Sequence, residues 1–532
     1  MTKTALLSFG ISIALGFSMT FSTDVLGAEK EISRPNVIVI LADDMRKADT
    51  GYSGHLHIKT PNIDKLAAKG TIFEKAFATS AICTPSRTSL LSGLFERRHG
   101  VNFNSNSSMT HEAWSNTYPM LMKKAGYFVG YVGKNHTPVG KNEAGTSGYD
   151  SGVMDQSFDY WYGSHKHLGF YPKDNKRHAI FKNAKADTQI EIIEEGMENF
   201  MEPNEAFQAG YSFLDSRPAS QPFALLINFN VPHANSTASM EQRDSDLDLY
   251  KSAYRNLYDK LEIPTTFVAA KDVKEPKLPL TVFNGDYHPP YDYSKTEARL
   301  KERQIREMQT ITGVDKLLGK LVAQLEKQGI ADNTIIVFTS DHGIQHGEFG
   351  LRGKTFIYEP SISIPMVVYD PRLKDEKADK NNELVALVDI APTLLDLTGT
   401  PIPAEMQGSS LVPLMQGVKA EWRKEIFLEN MFTGQNYPRM EGVRSHKWKY
   451  IRYFDKANDT NYEVMINASI NGEQPIYEEL YDLENDAAET TNLIADPANK
   501  NIVKQLRAKN AELVKEYRGS KPLNTHVNNT KS

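Results

Sequence analysis

The stretch Asn36-Val37-Ile38-Val39-Ile40-Leu41-Ala42-Asp43-Asp44 decides the fold class of this chain. Its run of aliphatic residues, most of them β-branched, is typical of a strand buried on both faces, and we predict a strand over residues 36–41. In open α/β sheets ligands bind beyond the carboxyl ends of the strands. Asp43 and Asp44 therefore mark the edge of the sheet where a functional site is expected.

Three further apolar runs, at residues 127–132, 223–229 and 334–339, predict buried parallel strands of the same kind. Helical stretches lie between them, and the clearest one, at 297–328, repeats apolar residues at helical spacing. This alternation predicts an α/β domain with helices on both faces of a mostly parallel sheet.

Past about residue 420 the pattern changes to short strand-like pieces, at 425–428 and 448–453, followed by a helical stretch at 501–517. We predict three parts: a signal peptide over residues 1–28, a large α/β domain over 29–420, and a smaller C-terminal subdomain over 421–532. The C-terminal subdomain is expected to combine antiparallel strands with a helix.

The N-terminus has the features of a secretion signal: Lys3, an apolar run over residues 5–21, and small residues up to Ala28. We therefore expect export, to the periplasm or the medium, with cleavage near Ala28. A membrane anchor is the alternative, although Ser and Gly interrupt the run, which is short for a span of about 20 residues. No later segment resembles a transmembrane helix, so the mature chain is not expected to enter a membrane.

The 532 residues include 61 basic and 67 acidic side chains, a formal net charge of −6. The chain therefore has no general positive field for nucleic acid, and an anionic substrate must meet a local basic site. Cys83 is the single cysteine, which excludes an intramolecular disulfide. An unpaired thiol in an exported chain calls for a chemical role, unless Cys83 is a buried inert residue.

A second predicted strand also runs into side chains that bind metals, Asp341 and His342. Together with Asp43 and Asp44 they would place three carboxylates and an imidazole at one edge of the sheet, a charge that a cation must balance. Mostly oxygen ligands favour calcium or magnesium over zinc. Taken separately, either acidic pair is also typical of a turn or a helix cap.

The segment Cys83-Thr84-Pro85-Ser86-Arg87-Thr88-Ser89-Leu90-Leu91-Ser92-Gly93 predicts a short helix, since Pro85 suits its first turn and Gly93 its end. Cys83 would lie at the helix N-terminus, where the backbone N–H groups favour an anion and Arg87 adds a guanidinium. The same position would stabilise a thiolate, so a cysteine nucleophile with a histidine base remains open on these residues alone.

Cys-x-Pro-x-Arg followed by Ser-Leu-Leu-Ser-Gly resembles the signature of the formylglycine-dependent (type I) sulfatases of the alkaline phosphatase-like superfamily. Other motifs of that family have counterparts along nearly the whole mature chain. They are Gly133-Lys134-Asn135-His136, Pro232-His233, Thr339-Ser340-Asp341-His342-Gly343, Gly353-Lys354, Gly442-Val443-Arg444 and Glu479-Leu480-Tyr481-Asp482-Leu483.

The resemblance implies an alkaline phosphatase-like fold and a nucleophile made by oxidation of Cys83 to formylglycine (3-oxoalanine), which requires a maturation enzyme. It also implies one calcium ion held by Asp43, Asp44, Cys83, Asp341 and His342. The remaining family roles fall on five residues: Arg87 braces the formylglycine, Lys134 and Lys354 neutralise sulfate oxygens, His233 protonates the leaving oxygen, and His136 accepts a proton afterwards.

The implied substrate is a sulfated carbohydrate, and we expect a carrageenan-type algal galactan first and a glycosaminoglycan next. Asn135 stands where many members carry Trp, and Ala234-Asn235 replaces a frequent Pro, both near the expected substrate mouth. A phosphonate or phosphodiester hydrolase of the same superfamily is the alternative enzyme, and a noncatalytic carbohydrate-binding protein is the alternative outside enzymes.

Two further sets of residues each allow two interpretations. His346, Glu348, Arg352 and Tyr358 surround Lys354 in the sequence and either shape the site or support the fold. Aromatic residues and histidines in irregular polar stretches either bind sugar rings or are ordinary loop residues. They are Trp161, Tyr162, His165, His167, His288, Tyr291 and Tyr293.

Overall fold

The structure is a computed structural model that describes residues 34–103, 107–141, 149, 151–164, 189–202, 212–218, 220–233, 254–274, 276–284, 293–373, 379–418, 421–455, 462–523 and 525–527. The predicted signal peptide, 1–28, lies outside these residues and stays a prediction. Of the aromatic and histidine candidates, His165, His167, His288 and Tyr291 also lie outside them. The described residues belong to one compact unit, 34–532.

The strands of the described residues are β1 (Asn36–Asp43), β2 (Thr71–Phe77), β3 (Ser107–Met109), β4 (Phe128–Lys134), β5 (Tyr160–Ser164), β6 (Phe223–Pro232), β7 (Thr334–Ser340), β8 (Gln345–His346), β9 (Arg352–Gly353), β10 (Met366–Tyr369), β11 (Asp379–Ala386), β12 (Glu425–Asn430), β13 (Arg439–Ser445), β14 (Trp448–Phe454), β15 (Tyr477–Asp482) and β16 (Thr525–Val527). Eight of them form the central sheet, in the order β11-β2-β10-β7-β1-β6-β4-β5. All neighbours in it are parallel except those of β10. The predicted fold class is therefore confirmed.

The α-helices of the same residues are α1 (Pro61–Lys69), α2 (Cys83–Ser92), α3 (Glu96–His99), α4 (His111–Ser115), α5 (Tyr118–Lys124), α6 (Val153–Ser157), α7 (Gln189–Met201), α8 (Phe213–Ser216), α9 (Glu297–Lys327), α10 (Glu359–Ile362), α11 (Ile390–Leu397), α12 (Val412–Met415), α13 (Tyr462–Asn467) and α14 (Lys500–Arg518). Apolar side chains of α1, α7 and α9 pack on one face of the central sheet. Those of α2, α5 and α11 pack on the other. Helices thus cover both faces, as the alternating pattern predicts.

The four predicted parallel strands are all present, and each extends further toward its carboxyl end than the apolar pattern indicates. Strand β1 lies between β6 and β7, with Val39 paired to Leu226 on one side and to Val337 on the other. All eight residues of β1 are buried. The strand that decides the fold class thus lies in the middle of the sheet, where its carboxyl end is surrounded by neighbouring strand ends.

A second sheet lies after residue 424 in the sequence. In it, β12, β13, β14 and β15 pair antiparallel in that order. Helix α14 packs on it through Val503, Leu506 and Leu513. The antiparallel strands and the final helix are thus present where the sequence places them, while the domain boundary near residue 420 stays a prediction. Within the described residues, no helix combines the length and the apolar character that a membrane span requires.

Candidate active site

The carboxyl ends of β1 and β7 bring their acidic residues together in the interior. Asp43, Asp44, Asp341 and His342 are all completely buried. The Asp44 backbone N–H donates to Asp341 Oδ1 at 3.3 Å, so the two strand ends are joined directly. Asp44 has a φ of 66°, an uncommon value for a residue with a side chain, and such backbone strain is frequent at functional sites.

Helix α2 brings Cys83 to the same point. It begins at Cys83 and ends before Gly93, whose left-handed conformation closes the helix, as the sequence predicts. The Cys83 Sγ lies 3.6 Å from Asp43 Oδ1 and 3.4 Å from His342 Nε2. Residues from three elements, β1, α2 and the end of β7, thus converge on one thiol.

Two lysines, one at the end of β4 and one directly after β9, direct their ammonium groups into this cluster. Lys134, the last residue of β4, donates to Asp43 Oδ2. Lys354 Nζ lies 2.8 Å from Asp44 Oδ1 and 2.9 Å from Cys83 Sγ. Both lysines are buried, and a lysine is almost never fully buried without a partner of opposite charge. The two ammonium groups therefore face the position of the reacting group.

Arg87 lies one helical turn after Cys83 and is 2% exposed. Its Nε donates to Asp341 Oδ2 at 2.8 Å, and its Nη2 lies 3.8 Å from Asp43 Oδ1. The same guanidinium donates to the carbonyl oxygens of Lys134 and Phe229, each at 3.3 Å. Arg87 therefore holds the ends of β4, β6 and β7 together, while its predicted contact with a modified Cys83 stays a prediction.

The residues fit a bound cation. One ligand atom from each of Asp43, Asp44, Cys83 and His342 lies within 4.8 Å of the other three. Among the described residues, Asp44 Oδ2 is a buried oxygen with no hydrogen-bond partner, so it is free to bind an ion. Asp341, the fifth predicted ligand, lies beside this group, with its Oδ1 at 3.6 Å from His342 Nε2.

The electrostatics of the cluster agree with that fit. Burial alone would raise the pKa of Asp43, but Lys134, His233, Arg87 and Lys354 outweigh it and hold that pKa well below its ordinary value. Burial would lower the pKa of His342, yet Asp341, assisted by Cys83, raises it to about 9. The negative charge that raises this pKa also favours a metal cation in the same place.

The two histidines with predicted proton-transfer roles lie on the rim of this cluster. His233 follows the end of β6, and its Nε2 lies 3.9 Å from Asp44 Oδ2. The His136 ring packs 5.4 Å from the ring of Phe103 and 5.8 Å from that of Tyr149. The Tyr149 hydroxyl in turn bonds Thr84, the neighbour of Cys83, at 2.7 Å. His233 therefore lies beside the cluster, whereas His136 is connected to it through Tyr149 and Thr84, and the proton-transfer roles of both histidines stay predictions.

Several residues near the site were not identified as such from the sequence, because none of them belongs to one of the motifs. Asn228 accepts a hydrogen bond from Arg87 at 3.5 Å. Arg303 and Glu307 on α9 form an ion pair of 2.6 Å beside Tyr293. Their i, i+4 spacing on a predicted helix was the available signal.

The structure shows the contacts of three residues, and the burial of two others, for which the sequence allowed two interpretations. His346 bonds Glu307 at 3.1 Å, Glu348 pairs with Arg46 at 3.2 Å, and Tyr358 donates to Glu479 at 2.9 Å. Tyr162 and Tyr293 are buried, so the idea that these two bind sugar rings is wrong.

Comparison with known proteins identifies two family models. The model described as Sulfatase matches residues 35–400. The model described as N-sulphoglucosamine sulphohydrolase, C-terminal, matches residues 347–468. An N-acetylglucosamine-6-O-sulfatase of Bacteroides thetaiotaomicron is 27% identical, over 93% of this chain and 88% of its own length.

Solved structures share the fold. A structure described as a complex with its substrate D-glucosamine-2-N,6-O-disulfate has a TM-score of 0.68 at 23% identity, covering 91% of this chain and 98% of that one. The phosphonate monoester hydrolase of Agrobacterium radiobacter has a TM-score of 0.70 at 21% identity, covering 91% and 96%. At these identities the likeness concerns the fold, which both kinds of hydrolase share.

Proposed function

Because this chain belongs to the Sulfatase family of formylglycine-dependent sulfuric ester hydrolases, we propose that it hydrolyses sulfate esters on a carbohydrate. The observation that carries the proposal is the surrounding of Cys83: within 3.6 Å its sulfur has a carboxylate, an imidazole and a lysine ammonium. Hydrolysis of a sulfate ester needs a nucleophile at sulfur, positive charge for the sulfate oxygens and a proton for the leaving oxygen.

Cys83 is the proposed source of the nucleophile. Oxidised to formylglycine by a maturation enzyme, its side chain would supply a hydrated aldehyde whose hydroxyl attacks sulfur. Asp43, Asp44 and His342, together with Asp341, would hold a calcium ion next to it, and such an ion lowers the pKa of an oxygen that it binds. The preference for calcium over magnesium rests on the number of oxygen ligands and remains part of the proposal.

The lysines and histidines act on the substrate in this proposal. Lys134 and Lys354 neutralise the sulfate oxygens with the ammonium groups that now pair with Asp43 and Asp44. His233 donates a proton to the bridging oxygen, because a sugar alkoxide is a poor leaving group when it is not protonated. His136 takes up a proton at its ring when sulfate is expelled. Arg87 holds the carboxylates in place for both steps.

The carbohydrate substrate is supported by the similarity to an N-acetylglucosamine-6-O-sulfatase. The carrageenan preference of the sequence analysis is a separate, narrower proposal. A panel of N-acetylglucosamine 6-sulfate, sulfated glycosaminoglycan disaccharides and carrageenan oligosaccharides separates these classes. Release of inorganic sulfate by matured protein, measured by ion chromatography, is expected from at least one of them.

Two controls decide between the proposal and its alternatives. The Cys83→Ala protein should release no sulfate from any of these sugars. A matched aryl sulfate and aryl phosphodiester test the other superfamily chemistry, and faster turnover of the phosphodiester would overturn the proposal. Tight glycan binding with no turnover by matured, metal-loaded protein would support a noncatalytic binding protein instead.

Export is a further part of the proposal, because formylglycine-bearing enzymes that degrade polymers must meet their substrate outside the cytoplasm. Residues 1–28 have the composition of a cleaved signal. N-terminal sequencing of the protein isolated from the periplasm or medium of its host should begin near Glu29. Recovery of the full-length chain in the membrane fraction would support the anchor alternative.

A further inference from the structure

Three side chains form a buried group next to the active site, here called the α9 hub: Tyr293, Arg303 and Glu307. Arg303 and Tyr293 are completely buried, and Glu307 nearly so. The guanidinium carbon of Arg303 lies 4.5 Å from the centre of the Tyr293 ring, and its Nη2 lies 2.6 Å from Glu307 Oε1. Buried charges are costly unless they are paired, so this group is a defined arrangement with little freedom.

The hub contacts the segment that carries His233. Arg303 Nη2 donates to the carbonyl oxygen of Pro232 at 3.5 Å. Pro232 is the last residue of β6, so this carbonyl belongs to the peptide bond that links it to His233. His233 Nε2 lies 3.9 Å from Asp44 Oδ2. The orientation of the His233 imidazole therefore depends on the backbone that Arg303 holds.

The hub also contacts the loop that carries Lys354. The Tyr293 hydroxyl donates to the Gln345 carbonyl at 2.8 Å and accepts from the Gly353 N–H at 3.0 Å. Gly353 directly precedes Lys354, and Thr355 after it has a φ of 89°. A residue with a side chain keeps such a backbone only when its surroundings hold it there. Tyr293 supplies part of that restraint.

Glu307 completes the hub by joining it to the same loop. Its Oε1 accepts from His346 Nε2 at 3.1 Å as well as from Arg303. Burial would raise the pKa of Glu307, but Arg303 and His346 outweigh it and lower that pKa to about 2. The Glu307 carboxylate is thus held in its charged form and fixes the Arg303 guanidinium.

We propose that Tyr293, Arg303 and Glu307 are positioning residues, which set His233 toward the leaving oxygen and Lys354 toward the sulfate. This inference rests on the proposed function, because it concerns the same reaction. In the step that depends on His233, sulfur forms a bond to the ionised hydroxyl of the nucleophile made from Cys83 as its bond to the sugar oxygen breaks. At the same time the imidazolium N–H bond breaks and one O–H bond forms on the leaving oxygen. No other reactant takes part in this proton transfer.

The leaving group distinguishes positioning from a merely structural role. A nitrophenolate leaves without protonation, so its release does not need a well-placed acid, whereas release of a sugar alkoxide does. In Arg303→Lys the charge beside Glu307 is kept, but the planar fork that reaches Pro232 is lost. We expect kcat/KM to fall about 10-fold or more for the sugar sulfate and less than about 3-fold for 4-nitrophenyl sulfate.

The matched control is Arg306→Lys, the same substitution three residues further along α9. Arg306 pairs with Glu302. This variant should leave the ratio of the two kcat/KM values unchanged. His233→Ala gives the reference pattern for loss of the acid. An equal loss on both substrates in Arg303→Lys, or no loss on either, would contradict the proposal for His233.

Tyr293→Phe tests the second contact and keeps the ring that Arg303 covers. Because Lys354 serves the sulfate of every substrate, we expect kcat/KM to fall by a similar factor for both. The dissociation constant of inorganic sulfate, measured by calorimetry on the metal-loaded protein, should rise about 5-fold to 10-fold. Unchanged sulfate binding would overturn this part of the proposal.

These measurements also distinguish failure of the proposal for the α9 hub from failure of the proposed function. If Arg303→Lys does not fold, judged by circular dichroism, Glu307→Gln replaces it in the comparison of the two substrates, because this variant removes the carboxylate that fixes the Arg303 guanidinium. If the wild-type protein hydrolyses no sulfate ester, the proposed function is wrong, and the calorimetric comparison with Tyr293→Phe still tests whether the hub places Lys354 for an anion.

Discussion

Two groups of buried charges in this molecule have opposite properties. One is the strand-end cluster at the active site: Asp43, Asp44, Cys83 and His342 with Lys134 and Lys354. The other, the Arg97 cluster, lies between α3 and the C-terminal sheet and consists of Glu96, Arg97, Glu429 and Glu441. Both are almost completely inaccessible to solvent. Burial of charge alone therefore does not identify a functional site.

The difference is in how completely the charges are satisfied. In the Arg97 cluster, Arg97 donates to Glu429 through both its backbone N–H (3.1 Å) and its Nε (2.7 Å). The two oxygens of Glu441 accept from Arg97 (2.9 Å) and from Arg452 (2.7 Å). All four oxygens of these two glutamates thus have donors, as expected where ions only stabilise packing.

In the strand-end cluster, by contrast, the hydrogen-bonding capacity of the carboxylates is not fully used. Within the described residues Asp44 Oδ2 has no hydrogen-bond donor, and two lysines and the His342 imidazole lie against the carboxylates. Such incomplete satisfaction costs stability and is retained at sites that bind a ligand. We infer that substitutions in the strand-end cluster affect turnover far more than folding. Substitutions in the Arg97 cluster should affect folding far more than turnover.

The largest effect is expected for Cys83→Ala. Loss of the proposed nucleophile should lower kcat by about 10⁴-fold or more, because residues that form a covalent intermediate act as a unit with their partners. The thermal midpoint should stay close to that of the wild type, since a small buried side chain is exchanged for one slightly smaller. Retained turnover in this variant would refute the mechanism.

Removal of the metal is expected to have the second-largest effect on kcat. Prolonged treatment with a calcium chelator should reduce kcat by about 100-fold or more, because the ion stabilises charge in the transition state. Added calcium should restore it, and magnesium serves as the comparison. Full activity in a sample shown by mass spectrometry to be metal-free would contradict the assignment of Asp43, Asp44 and His342 as ligands.

Substitution of the two buried arginines by Met tests the comparison directly. Arg97→Met leaves Glu429 as a buried charge without its arginine and leaves Glu441 with one of its two arginines, Arg452, so the free energy of unfolding should fall by about 3–5 kcal/mol. At a temperature where this variant is folded, kcat/KM should change less than about 3-fold. Arg87→Met should instead lower kcat/KM strongly. Similar losses of activity in both variants would show that the two clusters do not differ in role.

The smallest effect concerns pH. Burial, with the Glu429 carboxylate, raises the pKa of Glu96 from 4.5 to about 7. The unfolded chain therefore gives up this proton at lower pH than the folded one, so stability falls as pH rises from about 4.5 through 7. Between pH 5 and 8 the wild type should lose about 1–3 kcal/mol more than Glu96→Gln. Parallel curves in chemical denaturation would contradict this shift.

The sequence predicted the central strands because each is a continuous aliphatic run. It missed the outer strands β2 and β11, whose residues, such as Glu74 and Lys75, mix polar and apolar character. Strand β10 has only four residues, and its antiparallel direction follows from contacts with β2 and β7 that no local pattern encodes. A continuous apolar run indicates a strand that is buried on both faces. Strands β2 and β11 lack such a run, and β10 is too short to display one.

The candidate site followed from motifs because its residues lie at the ends of predicted strands or at the start of a helix. Topology then places Asp43 beside Cys83, 40 residues further along the chain. Arg303 and Glu307 were missed as neighbours of the site, and Tyr293 was considered only as a residue that binds sugar, since their relation to Pro232 and Gly353 exists only in three dimensions. Side chains that bind through the backbone of other segments leave no pattern in a single sequence.

The central claim is that Cys83 becomes the nucleophile of a sulfatase, and one measurement tests it most directly. The tryptic peptide of residues 76–87, from protein made in its native host, is treated with an aldehyde-reactive probe and weighed by mass spectrometry. We predict the formylglycine mass and probe labelling at Cys83, in proportion to the rate of sulfate release of each preparation. An unmodified thiol throughout a fully active preparation would contradict the claim.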